Sequence, residues 1–352
     1  MMAKIVLNAE DLDGFLSEED KRDIKEIEDM YAESMEACQK IKDSGETDQE
    51  AIERLCLSAG RIGHRLEEIA KERGRIHVYS FDTPDEMHAE CSRIIAKLRD
   101  PETGHEEFLY YIQRAYEMLF THAYSDQCLK KKRFLLQKTP VDIPAQNYAV
   151  HKIPDVDDMI ENSVMCVMLR GALLPSMIIS KEMEDYSSND FVTPFALFRI
   201  KRDESRSEKD MAYVLDLDKS FFDLEKLDGK DLVFADPMNA TGGSLVTIVK
   251  FLKDQGIKPK SIKFLNVISA LKGSLRITKA IKEAEVYTLW MDPVLNEKAY
   301  ILPGLGDAGD RLNGVDGKEN QRNMMQLMAD YGSGIVNLYR NQVREIEKTV
   351  LS

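Results

Sequence analysis

The sequence is poor in the features that would send it out of the cell or into a membrane. Its five cysteines, Cys38, Cys56, Cys91, Cys128 and Cys166, are odd in number, scattered and never in a C-x-x-C arrangement. Neither a disulfide framework nor a zinc site is expected from them, and reduced thiols in a cytoplasmic protein are. No stretch is apolar for long enough to cross a bilayer, because Val164 to Ile179 is interrupted by Arg170 and Pro175. The beginning, Met1 to Glu10, carries one lysine and a short apolar run before acids appear, without the apolar segment and cleavage site of a signal peptide. Basic residues are outnumbered, 48 against 62 acidic, for a net charge of -14. That balance argues against a sequence-independent nucleic-acid binder, whose affinity comes from neutralising phosphates. Internal repeats and low-complexity tracts are also lacking.

What remains is a chain of 352 residues, 43% hydrophobic and 31% charged, with room for two domains or one large domain with appendages. From Ser17 to Gly45 the pattern is helical, with Ile24, Ile27, Tyr31, Met35, Cys38 and Ile41 on one face. Ser17-Glu18-Glu19-Asp20 and Thr47-Asp48-Gln49-Glu50 read as helix starts, and Gly45 and Gly74 as stops. Two such helices make an antiparallel hairpin that packs on its own domain, contacts a second subunit or serves as an arm for a partner. Its removal, residues 1 to 74, is expected to leave chemistry intact.

Residues 75 to 150 mix a strand-like run, Arg75 to Phe81, with helical stretches at Met87 to Lys97 and Glu106 to Tyr124. The cluster Lys130 to Arg133 reads as a solvated turn before a strand at Phe134 to Leu136, or as a phosphate contact. After Pro154 strands alternate with helices. Strands are expected at Ser163 to Leu169, Pro194 to Ile200, Asp231 to Ala235, Ile262 to Ile268 and Val286 to Trp290, with helices at Leu174 to Met183, Leu245 to Gln255 and Ser274 to Lys282. Strands apolar on both faces imply a mainly parallel sheet covered by helices, so the class is α/β. Lys201 to Asp210 has no apolar residue and is expected to be a mobile excursion, either a hairpin loop or an active-site flap.

Two stretches carry chemistry. Leu232 to Ser244 reads as a buried strand, a small-residue loop and a helix start, with Asp236 at the strand's carboxyl end, glycines that let the backbone approach a ligand, and Ser244 as the helix cap. Amides at such a helix start point at an anion, here a phosphate. Tyr300 to Arg311 holds three glycines, a proline and two aspartates, a density that turns backbone groups inward toward a ligand.

Together these stretches resemble the uracil phosphoribosyltransferase family, of type I phosphoribosyltransferase fold. Asp236 to Ser244 matches its Asp-Pro-Met-x-Ala-Thr-Gly-Gly-Ser, and Tyr300 to Asp310 its hood motif Tyr-Ile-x-Pro-Gly-Leu-Gly-Asp-Ala-Gly-Asp. Leu295-Asn296-Glu297 precedes the hood at the family spacing, Leu169 to Ala172 is similar to its Leu-Arg-Ala-Gly, and Phe198-Arg199 to the Tyr-Arg that opens its flexible loop. Leu98-Arg99-Asp100-Pro101-Glu102-Thr103 and Phe108 fall where the family has its early Leu-Arg-Asp-x-x-Thr and Phe. The resemblance divides the chain into a helical extension over 1–75, a catalytic domain over 76–317 and a helical tail over 318–352.

It implies the salvage reaction in which uracil and phosphoribosyl pyrophosphate give UMP and pyrophosphate, with Mg2+ on the pyrophosphate. It further implies that Asp236, Met238, Ala240, Thr241, Gly242, Gly243 and Ser244 hold the phosphoribosyl group, that Arg170 and Arg199 hold the pyrophosphate, and that Ile301, Gly306 and Asp307 read the base. A cytoplasmic homo-oligomer that binds these small molecules, with no nucleic acid and no membrane, is the expected setting. Departures from the pattern are Asn239 for an apolar residue, Lys201 for Glu, Ser269 to Gly273 lacking the Pro and Glu of Ala-Pro-Glu-Gly, Ala299 for Gly and Asn313 for an aromatic. They leave open a transferase for another base and a nucleotide sensor built on the same fold, with an RNA-binding regulator behind both.

Overall fold

A computed structural model describes residues 4–44, 48–82, 85–128, 131–141, 147–169, 171–203 and 205–313. Arg170, Lys130, Glu204 and the expected tail over 318–352 lie outside the described residues. The strands are β1 (Lys4–Asn8), β2 (Ile76–Val78), β3 (Lys132–Lys138), β4 (Tyr148–Pro154), β5 (Ser163–Leu169), β6 (Phe195–Arg202), β7 (Ala212–Phe221), β8 (Asp231–Asn239), β9 (Ser261–Ala270), β10 (Ala284–Asp292), β11 (Val294–Leu295) and β12 (Ile301–Leu302). The helices are α1 (Ala9–Asp13), α2 (Glu18–Ser44), α3 (Gln49–Arg73), α4 (Tyr79–Asp82), α5 (Asp85–Arg99), α6 (His105–Cys128), α7 (Asp157–Ile160), α8 (Leu173–Tyr186), α9 (Gly243–Asp254), α10 (Leu271–Ala280) and α11 (Ala308–Asn313).

Eight strands form one sheet in the order β1-β7-β6-β5-β8-β9-β10-β2. The run from β6 to β2 is parallel, and β7 and β1 are added antiparallel at one edge. β5, β8 and β9 carry apolar residues on both faces because both faces are covered: α8 packs on β5 and β8, α6 on β9 and β10, and α9 on β6 and β7. After β5 the chain crosses to β6 on one side, and it later returns to β8 on the other, so the strand order reverses between β5 and β8. In open α/β sheets the crevice at such a reversal, beyond the carboxyl ends of the strands, is where ligands bind. It is here flanked by Leu169 and by Asp236.

β1 is absent from the sequence expectations because its short apolar run buries only Leu7, and its partner β7 is about two hundred residues away. Segment 1–75 therefore supplies more than helices, since its first strand is the edge of the main sheet. Ser17 caps α2: its hydroxyl accepts the Asp20 amide at 3.2 Å, and its hydroxyl and amide donate to the Asp20 carboxylate at 2.6 and 2.9 Å. Asp48 caps α3 by accepting from the Ala51 amide at 3.0 Å, where the sequence pattern pointed to Thr47, and Gly74 ends α3 with φ 64°.

The inner half of the hairpin docks: Ile27, Leu66 and Ile69 share a buried cluster with Ile76, Val78, Leu271, Leu275 and Met291. Its outer half has the other helix as its partner, and Met35 and Leu57 stay exposed. The basic cluster is tied down locally, Lys131 pairing with Asp158 at 2.6 Å and Arg133 donating to the Tyr186 carbonyl at 3.2 Å. Cys38, Cys56, Cys91 and Cys166 are free thiols. Among the described residues no helix is long and apolar enough to cross a membrane.

Candidate active site

A cleft of about 510 Å³ opens at the strand reversal. It is lined from β8 and its loop by Asp236, Met238, Ala240 and Ser244, from β6 by Arg199, Lys201 and Arg202, and from the hood by Asp307 and Gly309. Gly171 beside Arg170 lies on its wall as well. The loop and hood stretches, some sixty residues apart in sequence, thus face one space.

The floor is built by β8. It runs to Asn239, beyond its expected end at Ala235, and Asn266 of β9 donates to the Asp236 carbonyl at 2.9 Å. The Asp236 carboxylate accepts the Met238 amide at 3.1 Å. Burial pushes this carboxyl up to about 6, against the opposing effects of the Met238 amide and the Arg202 charge.

The loop that follows is shaped by three close approaches. Gly242, with φ 74°, is the residue at the start of α9, and Ser244 lies inside the first turn, so the expected serine cap is replaced by a left-handed glycine. A Cβ on Gly243 would stand 2.2 Å from the Tyr213 ring, whose hydroxyl donates to Thr241 Oγ1 at 2.6 Å. Tyr213 of β7 therefore moulds the loop; its only sequence signal is an aromatic on an alternating strand. From below, Gly273 of α10 meets the loop, and a Cβ there would stand 2.4 Å from the Ala240 carbonyl oxygen. The first turn of α9 carries no acid, so its amides and dipole are left for an external anion. Gly273→Ala is expected to displace the loop and weaken UMP binding about tenfold, an overpacking cost of roughly 1–3 kcal/mol. Calorimetric titration of the variant with UMP checks this, and unchanged affinity would show that the loop does not need the contact.

The hood is anchored from two directions. Asn296 folds its entry, its side-chain oxygen accepting the Lys298 and Tyr300 amides at 2.9 Å. Ala299, which replaces the family's glycine, keeps a left-handed φ of 62° there and so carries the strain a glycine avoids. Asp292 at the end of β10 is 1% exposed; it accepts the Gly304 amide at 2.9 Å and pairs with Arg99. Arg311 lies over the Phe108 ring, 4.0 Å from its centroid, and donates to the carbonyls of Leu98, Asp100, Thr103 and Leu305. The early Leu98 to Thr103 motif and Phe108 thereby acquire a role as the socket that holds the hood. Ile301 is buried in β12, paired with β11. Gly306 is exposed with φ 73°, and Asp307 accepts the Asp310 amide at 3.0 Å, capping α11 while it faces the cleft. Of the three base-reading candidates, Asp307 alone borders the cleft itself.

The departures also find places. Asn239 is 2% exposed rather than in an open loop, and its amide nitrogen lies 3.4 Å from the hydroxyls of Ser269 and Ser274. Ser269 and Asn239 thus form one polar layer beneath the loop. Lys201 is exposed at the cleft rim. The segment after it is not a loose excursion. Glu208 is 7% exposed, donates its amide to the Glu297 carbonyl at 2.7 Å and pairs with Lys272 at 2.9 Å and Arg276 at 3.0 Å. A segment without apolar residues is still drawn inward when buried cations wait for it.

The family model for uracil phosphoribosyltransferase matches residues 181–314, from within α8 to the hood. The uracil phosphoribosyltransferase of Campylobacter fetus subsp. fetus is 32% identical over 215 residues, covering 61% of this chain and 89% of that protein. This chain belongs to the uracil phosphoribosyltransferase family. Its class is that of the pentosyl-transferring enzymes and its fold that of the type I phosphoribosyltransferases. The uracil phosphoribosyltransferase of Dictyoglomus turgidum is 44% identical over a shorter span of 91 residues, 26% of this chain and 43% of that protein. Among solved structures, the AQ2163 protein from Aquifex aeolicus is 25% identical, with a TM-score of 0.46 over 65% of this chain and 96% of that one. The hairpin α2–α3 is extra to the motifs that define the family.

Proposed function

We propose that this chain transfers a phosphoribosyl group from phosphoribosyl pyrophosphate to uracil, giving UMP and pyrophosphate in pyrimidine salvage. The observation that carries the proposal is the meeting of the acid-free start of α9, the Asp236 carboxylate and the hood on one cleft at the strand reversal. The 5′-phosphate rests on the amides and hydroxyls of residues 240–244, where the helix dipole favours an anion. Asp236 accepts from the ribose hydroxyls, and its charge favours the positive character that develops at the anomeric carbon. Arg199 contributes charge at the pyrophosphate end, and Arg170 fills the same role from the β5 loop. The hood's main chain reads the base, with Asp307 beside it. No nucleophilic side chain is required, since positioning and electrostatics carry the reaction.

Magnesium enters with the substrate in this proposal. Asp203, Asp236 and Asp307 line the cleft, and a carboxylate oxygen is the donor type a hard divalent cation accepts. Among the described residues no three His, Cys, Asp or Glu side chains gather into one metal cage.

The protein acts in the cytoplasm as a homo-oligomer, and the β3–β4 ribbon supports the assembly. Phe134 pairs across the ribbon with Lys152, Leu136 with Val150 and Lys138 with Tyr148, so these side chains share one face. Phe134, Leu136, Tyr148 and Val150 are all exposed there. An apolar face of this kind on a projecting ribbon suits a second subunit.

Purified protein incubated with phosphoribosyl pyrophosphate, Mg2+ and each common base in turn is expected to release pyrophosphate with uracil. Turnover with another base alone would reassign the acceptor. Tight UMP binding without turnover on any base would overturn the transferase in favour of a nucleotide sensor.

A further inference from the structure

Arg202 is the last residue of β6 and lines the cleft with Asp236, Ser244 and Gly309. Its guanidinium carbon stands 5.0 Å from the centroid of the Tyr300 ring, within the range where a cation and a ring attract. Tyr300 opens the hood, and its backbone is fixed on both sides by Asn296, amide to side chain and carbonyl to amide at 2.9 Å. On its other side Arg202 is near enough to Asp236 for its charge to act on that carboxylate. The guanidinium therefore lies within reach of both the acid proposed to face the ribose and the aromatic ring that opens the hood, while its strand partner Tyr213 touches the loop at Thr241. On the phosphoribosyl-transfer reading, the bond between the anomeric carbon and pyrophosphate breaks beside Asp236. Arg202 lies three residues beyond the arginine that the family motif marks, in a run whose polarity reads as surface loop.

We propose that Arg202 is a pyrophosphate-binding residue, braced by Tyr300, that takes up the negative charge growing on the leaving pyrophosphate. The assignment rests on the phosphoribosyl-transfer reading. In that step the carbon–oxygen bond breaks and its electron pair departs on a pyrophosphate oxygen, while a ring nitrogen of uracil supplies the pair for the new carbon–nitrogen bond and its proton passes to solvent. A guanidinium stays charged at every working pH and presents paired N–H donors to phosphate oxygens. It serves as a fixed positive charge at the point where charge appears. The Tyr300 contact further ties the position of that charge to the hood, so the base end and the leaving-group end of the cleft are set by one pair of side chains.

The test uses the full chain with Arg202→Ala, Arg202→Lys and Tyr300→Leu. Calorimetry measures the affinity for pyrophosphate with Mg2+ and, separately, for UMP; steady-state assays give kcat and KM for phosphoribosyl pyrophosphate. Arg202→Ala is expected to weaken pyrophosphate binding about tenfold or more, the scale of a lost charge-assisted hydrogen bond, and to lower kcat while leaving UMP affinity within about twofold. Arg202→Lys restores part of the loss, and Tyr300→Leu weakens pyrophosphate binding less than Arg202→Ala does. Unchanged pyrophosphate affinity in Arg202→Ala, or a fall in UMP affinity of the same size, would overturn the assignment. If the unaltered protein binds pyrophosphate yet turns over no base, the transferase reading fails while the pyrophosphate titrations still decide the role of Arg202.

Discussion

Replacing Asp236 by Asn lowers kcat by at least about tenfold, the largest loss expected of any single substitution that keeps the cleft's shape. The amide matches the carboxylate in size and retains an oxygen for the Met238 amide, now 3.1 Å from Oδ1. What disappears is the negative charge beside the anomeric carbon. A preorganised group aimed at charge that develops in the transition state contributes on the order of 10–10³-fold when removed singly. KM for phosphoribosyl pyrophosphate changes less, since ground-state binding is dominated by the phosphates. An unchanged kcat would refute the electrostatic role.

The same residue sets a pH dependence. Burial raises the Asp236 carboxyl from the ordinary 3.8 to about 6, so the folded protein holds a proton there that the unfolded chain has released between those values. Its contribution to stability is therefore fullest below the unfolded value and is lost as pH rises through about 6. Activity runs the other way, because only the carboxylate serves catalysis. The kcat/KM profile of the unaltered enzyme is expected to fall on the acid side of about pH 6, reporting the free enzyme's group. Phosphates of the substrate titrate nearby, but they do so for every variant. An acid limb of the same shape in Asp236→Asn would show that Asp236 is not its source.

How much of this was legible in the sequence depended on whether a residue's partner was local. β5, β6, β8, β9 and β10 and their helices declared themselves through runs of apolar residues, because a doubly covered parallel sheet demands them, whereas the antiparallel β7 was not expected. The glycine loop between β8 and α9 was equally visible, since glycines at a strand–helix junction follow from backbone geometry alone. β1 was hidden because a lone apolar triplet says nothing about a partner in β7. Tyr213 and Arg202 were hidden for the same reason: an aromatic on a strand and a cation in a polar run become site residues only when the fold brings Gly243 and Tyr300 against them. Polarity misled most at Glu208, where the chain's lack of apolar residues suggested open solvent and the fold supplied Lys272 and Arg276. The hood lay between these cases. Its motif was legible, but the socket that grips Arg311 is made of backbone carbonyls, and carbonyls leave no mark in a sequence.

Deleting residues 1 to 74 is expected to unfold the protein rather than spare its chemistry, which corrects the independence that sequence patterns assign to this segment. The deletion removes β1, whose loss strips the ladder bonds from β7, the strand that carries Tyr213. Leu12 goes with it, fully buried in the main core, and a truncation to alanine at such a site alone costs about 2–5 kcal/mol. It also uncovers a charge. Arg276 of α10 has no exposed surface and divides its guanidinium between Asp13 at 2.6 Å and Glu208 at 3.0 Å, while Lys279 one turn on pairs with Asp20 at 2.9 Å. Removing one partner of a buried ion costs more than the pair is worth, because the remaining charge keeps its desolvation penalty. Asp13 is itself partly exposed, which discounts the loss for Asp13→Ala to about 1–3 kcal/mol. Denaturant unfolding of Asp13→Ala measures that loss, and Asp13→Ala combined with Arg276→Met recovers much of it by removing the stranded charge along with its partner. Arg276 also helps to hold Glu208, and with it the segment that follows Arg202, so the loss of Asp13 reaches the rim of the cleft through two ion pairs. A truncated chain that stays soluble, unfolds at the full-length midpoint and turns over at the full-length rate would show that the amino-terminal segment is the appendage its sequence suggests.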